Sequence, residues 1–124
     1  MEQPRLFEFR MGDRSPDKLV VAEANRDAAK LLTDWHAWPN GALALIGPSG
    51  SGKTHLALAW ALEAGARRIS AQAAAEDAAA IFREADGRLL IDDADRDRDE
   101  AMLWHVLDLA RSQGGALLLV GALP

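Results

Sequence analysis

The chain has 124 residues, 49% of them hydrophobic, and a formal net charge of -5 at pH 7. That length bounds it to one domain, and the apolar fraction is enough for a buried core. The acidic balance excludes a broad DNA-binding face, which needs Lys and Arg to neutralise phosphates, so contact with DNA is expected only through a partner.

Residues 1–16 hold Pro4, Gly12 and Pro16 among mixed charges and read as an extended arm, with residues 17–124 as the core domain. Leu19-Val20-Val21 is a short apolar stretch. Asn25 is a candidate N-cap for a helix to about Trp35, with Ala28, Leu31, Leu32 and Trp35 at i, i+3, i+4 and i+7. Trp38-Pro39-Asn40-Gly41 is a turn into the apolar run Ala42–Ile46. A helix is expected over His55–Glu63 with Gly65 as its stop, then a short strand at Arg67–Ser70. Gln72–Glu84 is alanine-rich and reads as helix, anchored by Ile81 and Phe82. Leu89–Ile91 is a buried strand. Glu100–Ser112 is an amphipathic helix with Leu103, Val106, Leu107 and Ala110 on one face and Gly114 after it, and Ala116–Val120 is a fourth strand. Alternating strands and helices predict an α/β fold, a parallel sheet flanked by helices, with ligands beyond the carboxyl ends of the strands.

No apolar run approaches the 18 or more residues of a membrane span, and the start MEQPRLFEFR lacks the layout of a signal peptide. The absence of cysteine excludes disulfides and thiolate metal sites and fits a reducing cytoplasm, where this protein is expected to reside.

Chemistry concentrates in two places. Gly47-Pro48-Ser49-Gly50-Ser51-Gly52-Lys53-Thr54 reads G-x-x-x-x-G-K-T directly after an apolar run and before a helix, the context a phosphate-binding loop requires. Glycines let backbone N–H groups curl around phosphate oxygens. Lys53 supplies charge to the β- and γ-phosphates, and the Thr54 hydroxyl can ligate Mg²⁺. The helix opening at His55 aims its positive end at the same phosphates. Residues Gly47, Pro48, Ser49, Gly50, Ser51, Gly52, Lys53, Thr54 and His55 are therefore the candidate site for ATP or ADP.

The second place is Asp92-Asp93, closing the apolar stretch Leu89-Leu90-Ile91, thirty-nine residues after Lys53. An acid there can hold Mg²⁺ directly or through water, which makes Thr54 and Asp92 the metal candidates. Asp93 could orient or deprotonate an attacking water, the catalytic assignment. Asp92–Glu100 holds six acids, but no calcium loop fits: starting at Asp93, position 6 is Arg98 and position 12 is Trp104. Its remaining acids read as a solvated loop favouring the start of the next helix. His36, His55 and His105 form no metal spacing, and the four tryptophans suit packing better than base stacking.

GPSGSGKT, then LLIDDAD, then the stretch Leu103–Val120 resemble the AAA+ module of the DnaA family of bacterial replication initiators, over about residues 17–121. Within that family the chain looks like the short Hda-type regulators that inactivate DnaA, a group in which Asp-Asp replaces the usual Asp-Glu. The resemblance implies an AAA+ P-loop NTPase fold with strand order 5-1-4-3-2, adenine nucleotide and Mg²⁺ as ligands, and DnaA as partner. It also implies that Leu19-Val20-Val21 and Asn25 lie near the adenine.

Gln3-Pro4-Arg5-Leu6-Phe7 reads Q-x-x-L-F and resembles the peptide by which Hda-like proteins dock on the DNA polymerase sliding clamp. Gln3 would hydrogen-bond while Leu6 and Phe7 fill an apolar pocket. Two such side chains are worth roughly 3–6 kcal/mol before ordering costs, which predicts weak docking helped by avidity on a ring.

The family pattern continues with a fifth strand, an arginine finger and a helical lid, none of which this sequence contains. Without the fifth strand, the phosphate-loop strand is expected to be an exposed edge. The first sensor position falls at Val120-Gly121 and carries no side-chain donor. Nucleotide binding with little or no hydrolysis by the chain alone is expected. A self-sufficient P-loop ATPase and a helicase-loader-like protein are the alternatives, and the sequence leaves homo-oligomerisation open.

Overall fold

The computed structural model describes residues 20–24, 26–48, 52–94 and 99–121. In chain order these form β1 (Val20–Glu23), α1 (Arg26–Thr33), β2 (Ala42–Ile46), α2 (Lys53–Ala64), β3 (Arg67–Ser70), α3 (Ala75–Glu84), β4 (Arg88–Asp92), α4 (Glu100–Gln113) and β5 (Ala116–Gly121). Two short 3₁₀ turns, Trp35–Ala37 and Pro39–Gly41, lie between α1 and β2. The five strands make one parallel sheet in the order β1-β2-β5-β4-β3.

Every residue of β2 and β5 is buried, as the runs ALALI and ALLLVG require of strands covered on both faces. Alternation divides their side chains between two cores. Leu43, Leu45, Leu90, Leu118 and Val120 pack with Ala28, Leu32, Ala57 and Trp60 of α1 and α2. Ala44, Ile46, Ile69, Leu89, Ile91, Leu117 and Leu119 pack with Phe82, Leu103, Val106 and Leu107 of α3 and α4. The molecule is thus a three-layer α/β sandwich.

Local signals set the element ends. The Asp99 carboxylate accepts a hydrogen bond from the Met102 N–H at 3.0 Å and caps α4, while Gly65 and Gly114 turn left-handed after α2 and α4. Gly41 enters β2 at φ +73°, and a Cβ there would lie 2.7 Å from the Gly115 carbonyl oxygen, so only glycine fits.

Three expectations are corrected. The phosphate-loop strand is not an edge: β1 pairs with β2 from Val20–Leu43 to Glu23–Ile46, and Ala24 N–H adds a bond to the Ile46 carbonyl at 2.8 Å. The backbone groups on that side of β2 are thereby satisfied. The alanine-rich helix starts at Ala75 rather than Gln72, because the Ser70 hydroxyl accepts the Gln72 N–H at 3.0 Å and the Ser70 carbonyl accepts Ala73 N–H at 3.1 Å. That serine-centred turn holds the chain out of helix for three residues. The first helix ends at Thr33, and Trp35 belongs to a 3₁₀ turn. Trp38 folds back to donate its indole N–H to the Leu31 carbonyl at 2.7 Å. The expected arm, residues 1–16, and the N-cap candidate Asn25 lie outside the described residues.

Candidate functional site

The carboxyl ends of β2, β5 and β4 come out level. Leu45 pairs with Val120 and Ile46 with Gly121, while Ile91 pairs with Leu119, which brings Asp92 to the level of Val120. Gly47 N–H donates to the Gly121 carbonyl at 3.3 Å, and Ala94 N–H donates to the Val120 carbonyl at 2.8 Å. The phosphate-loop sequence and the acidic pair therefore leave one edge of the sheet together, with β5 between them, about 10 Å apart at ordinary strand spacing.

They also address one face. Leu90 lies in the core under α2, so Asp92, two residues on, points to the α2 side. At the opposite end of β4, Arg88 donates to the carbonyl of Ala64, the last residue of α2, at 3.2 Å. From Arg88 to Asp92 is about 13 Å of strand, and from Ala64 back to Thr54 about 15 Å of helix. Since α2 runs antiparallel to β4, Asp92 lies toward the N-terminal end of α2, where Lys53 and Thr54 stand.

The start of α2 leaves the positive end of its helix dipole open. Gly52 is left-handed at φ +89°, among the described residues no side chain caps the helix, and its first turn carries no acid. The first bond within the helix runs from Leu56 N–H to the Gly52 carbonyl at 3.0 Å, which leaves the amides ahead of it without intrahelical partners. Lys53 Nζ donates to the Pro48 carbonyl at 3.3 Å, so the lysine bends back across the start of the loop. Gly47 is buried; Thr54 and His55 are exposed. Ser49, Gly50 and Ser51 lie outside the described residues, as do Gln3, Leu6 and Phe7.

Asp92 is more tightly held than its sequence position suggests. Its Oδ1 accepts the Asp93 N–H at 2.9 Å, and its Oδ2 accepts Arg68 Nη2 of β3 at 2.8 Å. Asp93 is exposed and turns left-handed at φ +54°, a conformation Asp tolerates better than most residues. Arg68, Ser70, Gln72, Asp92 and Asp93 line an open cleft of about 420 Å³ at the ends of β3 and β4. Arg68 escaped the sequence reading, because its meeting with Asp92 depends on strand register rather than on any motif.

Oxygen donors suit Mg²⁺, and the Thr54 hydroxyl and Asp92 carboxylate supply them on one face of the sheet. Among the described residues no three His, Cys, Asp or Glu gather into a metal-binding group. Any Mg²⁺ here would draw its remaining ligands from phosphate and water, the usual pattern for nucleotide sites. Of the expected adenine neighbours, Leu19 and Asn25 lie outside the described residues. Val20 and Val21 pair with Leu43 and Ala44 inside the sheet, and it is Glu23 and Ala24 that reach the level of the loop.

Among the described residues no helix is long and apolar enough to cross a membrane. No protein-family model matches the chain, and no curated protein sequence matches it.

Proposed function

We propose that this chain is a DnaA-related AAA+ module that binds ATP or ADP with Mg²⁺ and acts as an Hda-like regulator of replication initiation. The observation that carries the proposal is a conjunction. A complete G-x-x-x-x-G-K-T follows β2, a helix with no side-chain cap among the described residues begins at its lysine, and the Asp92 carboxylate lies on the same sheet face at the same level. The adjacency β2-β5-β4-β3 supports the AAA+ reading, since the loop strand, last strand, acid strand and second strand follow in the order 1-4-3-2 that the resemblance implies.

In this reading the amides at the start of α2 bind phosphate oxygens, and Lys53 exchanges the Pro48 carbonyl for the β- and γ-phosphates. Thr54 and Asp92 hold Mg²⁺, which when bound neutralises phosphate charge. Asp93 orients water. Val120 and Gly121 stand between the two halves of the site without a side-chain donor, which fits weak hydrolysis by the chain alone. Gln3, Leu6 and Phe7 dock on the sliding clamp, and the AAA+ surface meets ATP-bound DnaA so that DnaA's nucleotide is hydrolysed at the joint interface.

The test is a titration of the full chain with fluorescent ADP in Mg²⁺, followed by DnaA–ATP hydrolysis assays with clamp on DNA. Saturable ADP binding and clamp-dependent loss of DnaA-bound ATP are expected. No binding at millimolar ADP would end the nucleotide reading. Clamp retention by a Leu6→Ala, Phe7→Ala variant would remove the tail as anchor, and steady ATP turnover without DnaA would favour a self-sufficient ATPase.

A further inference from the structure

We infer that Arg68 and a divalent cation compete for the Asp92 carboxylate, so that Arg68 sets the metal dependence of nucleotide binding; this rests on the nucleotide reading above. Ser70 pairs with Asp92 and Arg68 with Leu90, so Arg68 sits one side-chain pair back on the same sheet face, at the diagonal distance a long side chain spans. Ile69, between them, turns into the opposite core. The resulting contact of 2.8 Å is a charge-assisted hydrogen bond.

The other carboxylate oxygen already accepts the Asp93 N–H, so Asp92 meets a partner at each oxygen. A cation approaching the Arg68-bound oxygen encounters a guanidinium charge a few ångströms away. The Arg68 side chain is 54% exposed and that of Asp92 only 22%, so the arginine is the partner free to leave. The open cleft around Ser70 and Gln72 gives the displaced guanidinium somewhere to go. A pair this exposed is weak, which makes Arg68 a graded competitor rather than a block.

Mn²⁺, visible by paramagnetic resonance, can replace Mg²⁺ in titrations of the full chain at saturating ADP, alongside ADP affinity measured in EDTA. Arg68→Gln should tighten Mn²⁺ binding about two- to fivefold, the range an exposed pair supplies, and leave metal-free ADP affinity within about twofold. Arg68→Lys should stay near wild type. In an Asp92→Asn background the Arg68→Gln effect should vanish. Unchanged or weaker Mn²⁺ binding in folded Arg68→Gln overturns the competition, because a merely structural strand tie would give that result. In the wild-type ADP complex, the Arg68 side-chain ¹⁵N resonance should move when Mg²⁺ is added; a stationary resonance overturns it without any variant. If wild-type chain fails to bind ADP in EDTA and in Mg²⁺ alike, the nucleotide reading fails first and takes the competition with it.

Discussion

Arg88 Nη1 donates to the Ala64 carbonyl at 3.2 Å, tying the first residue of β4 to the last residue of α2. The same guanidinium lies 5.0 Å from the centre of the Trp35 ring. A cation at a helix C-terminus satisfies an orphan carbonyl and opposes the helix dipole. This contact helps fix where α2 lies along β4, and so how near its N-terminal end comes to Asp92. Arg88→Ala should destabilise the chain by about 1–2 kcal/mol in urea unfolding, from the lost charged hydrogen bond and ring contact. ADP affinity should fall as well, although Arg88 is at the opposite end of the strand. Full stability in the variant would show that the contact does not hold the layers.

Trp38 and Trp60 are both buried and pack at a ring separation of 5.2 Å, yet their indole N–H groups fare differently. Trp38 Nε1 donates to the Leu31 carbonyl at 2.7 Å, whereas Trp60 Nε1 is buried with no partner among the described residues. Replacing either by Phe removes similar volume, so the packing loss nearly cancels in the comparison. Trp38→Phe should cost about 0.5–1.5 kcal/mol more than Trp60→Phe, because only the former breaks a hydrogen bond. Equal midpoints in parallel chemical denaturation would contradict this.

Gly115 sits where the backbone leaves no room for a side chain. A Cβ there would lie 2.6 Å from the Gly87 carbonyl oxygen and 2.9 Å from the Phe82 ring. That carbonyl accepts the Ala116 N–H at 2.8 Å, so it cannot retreat without opening the start of β5. Gly115→Ala should cost about 1–3 kcal/mol, the range for overpacking, read as a lowered thermal midpoint. A wild-type midpoint would mean that the turn before β5 yields freely.

Much of the sheet was written in the sequence, because Ala42–Ile46, Leu89–Ile91 and Ala116–Val120 are apolar runs that mark buried strands. β1 was less legible. Only Val20-Val21 is strongly apolar there, and its pairing with Leu43–Ile46 spans an intervening helix that no local pattern reveals. Asp92 at a strand end could be read directly, since an acid after Leu-Leu-Ile must emerge at the carboxyl edge. Its tie to Arg68 could not, because a diagonal contact between strands exists only once β3 and β4 have a register. The same limit hid the Ser70 turn, in which one hydroxyl overrides the helix preference of the alanines beyond it.

Lys53 separates function from stability most cleanly. It opens α2, is half-buried, and donates to the Pro48 carbonyl at 3.3 Å, a contact at the long end of hydrogen bonding. Alanine is the better helix former and loses little packing there, so Lys53→Ala should change stability by no more than about 0.5 kcal/mol. On the nucleotide reading, affinity should nevertheless fall at least about tenfold, since among the described residues at this helix end Lys53 alone could bring an ammonium to the β- and γ-phosphates. Lys53→Arg should not restore it, because a broad planar guanidinium does not reproduce the compact point charge of an ammonium. Fluorescent ADP titration beside a thermal melt reads both quantities on one sample. Wild-type ADP affinity in a folded Lys53→Ala chain would mean that Gly47–Thr54 does not hold phosphate.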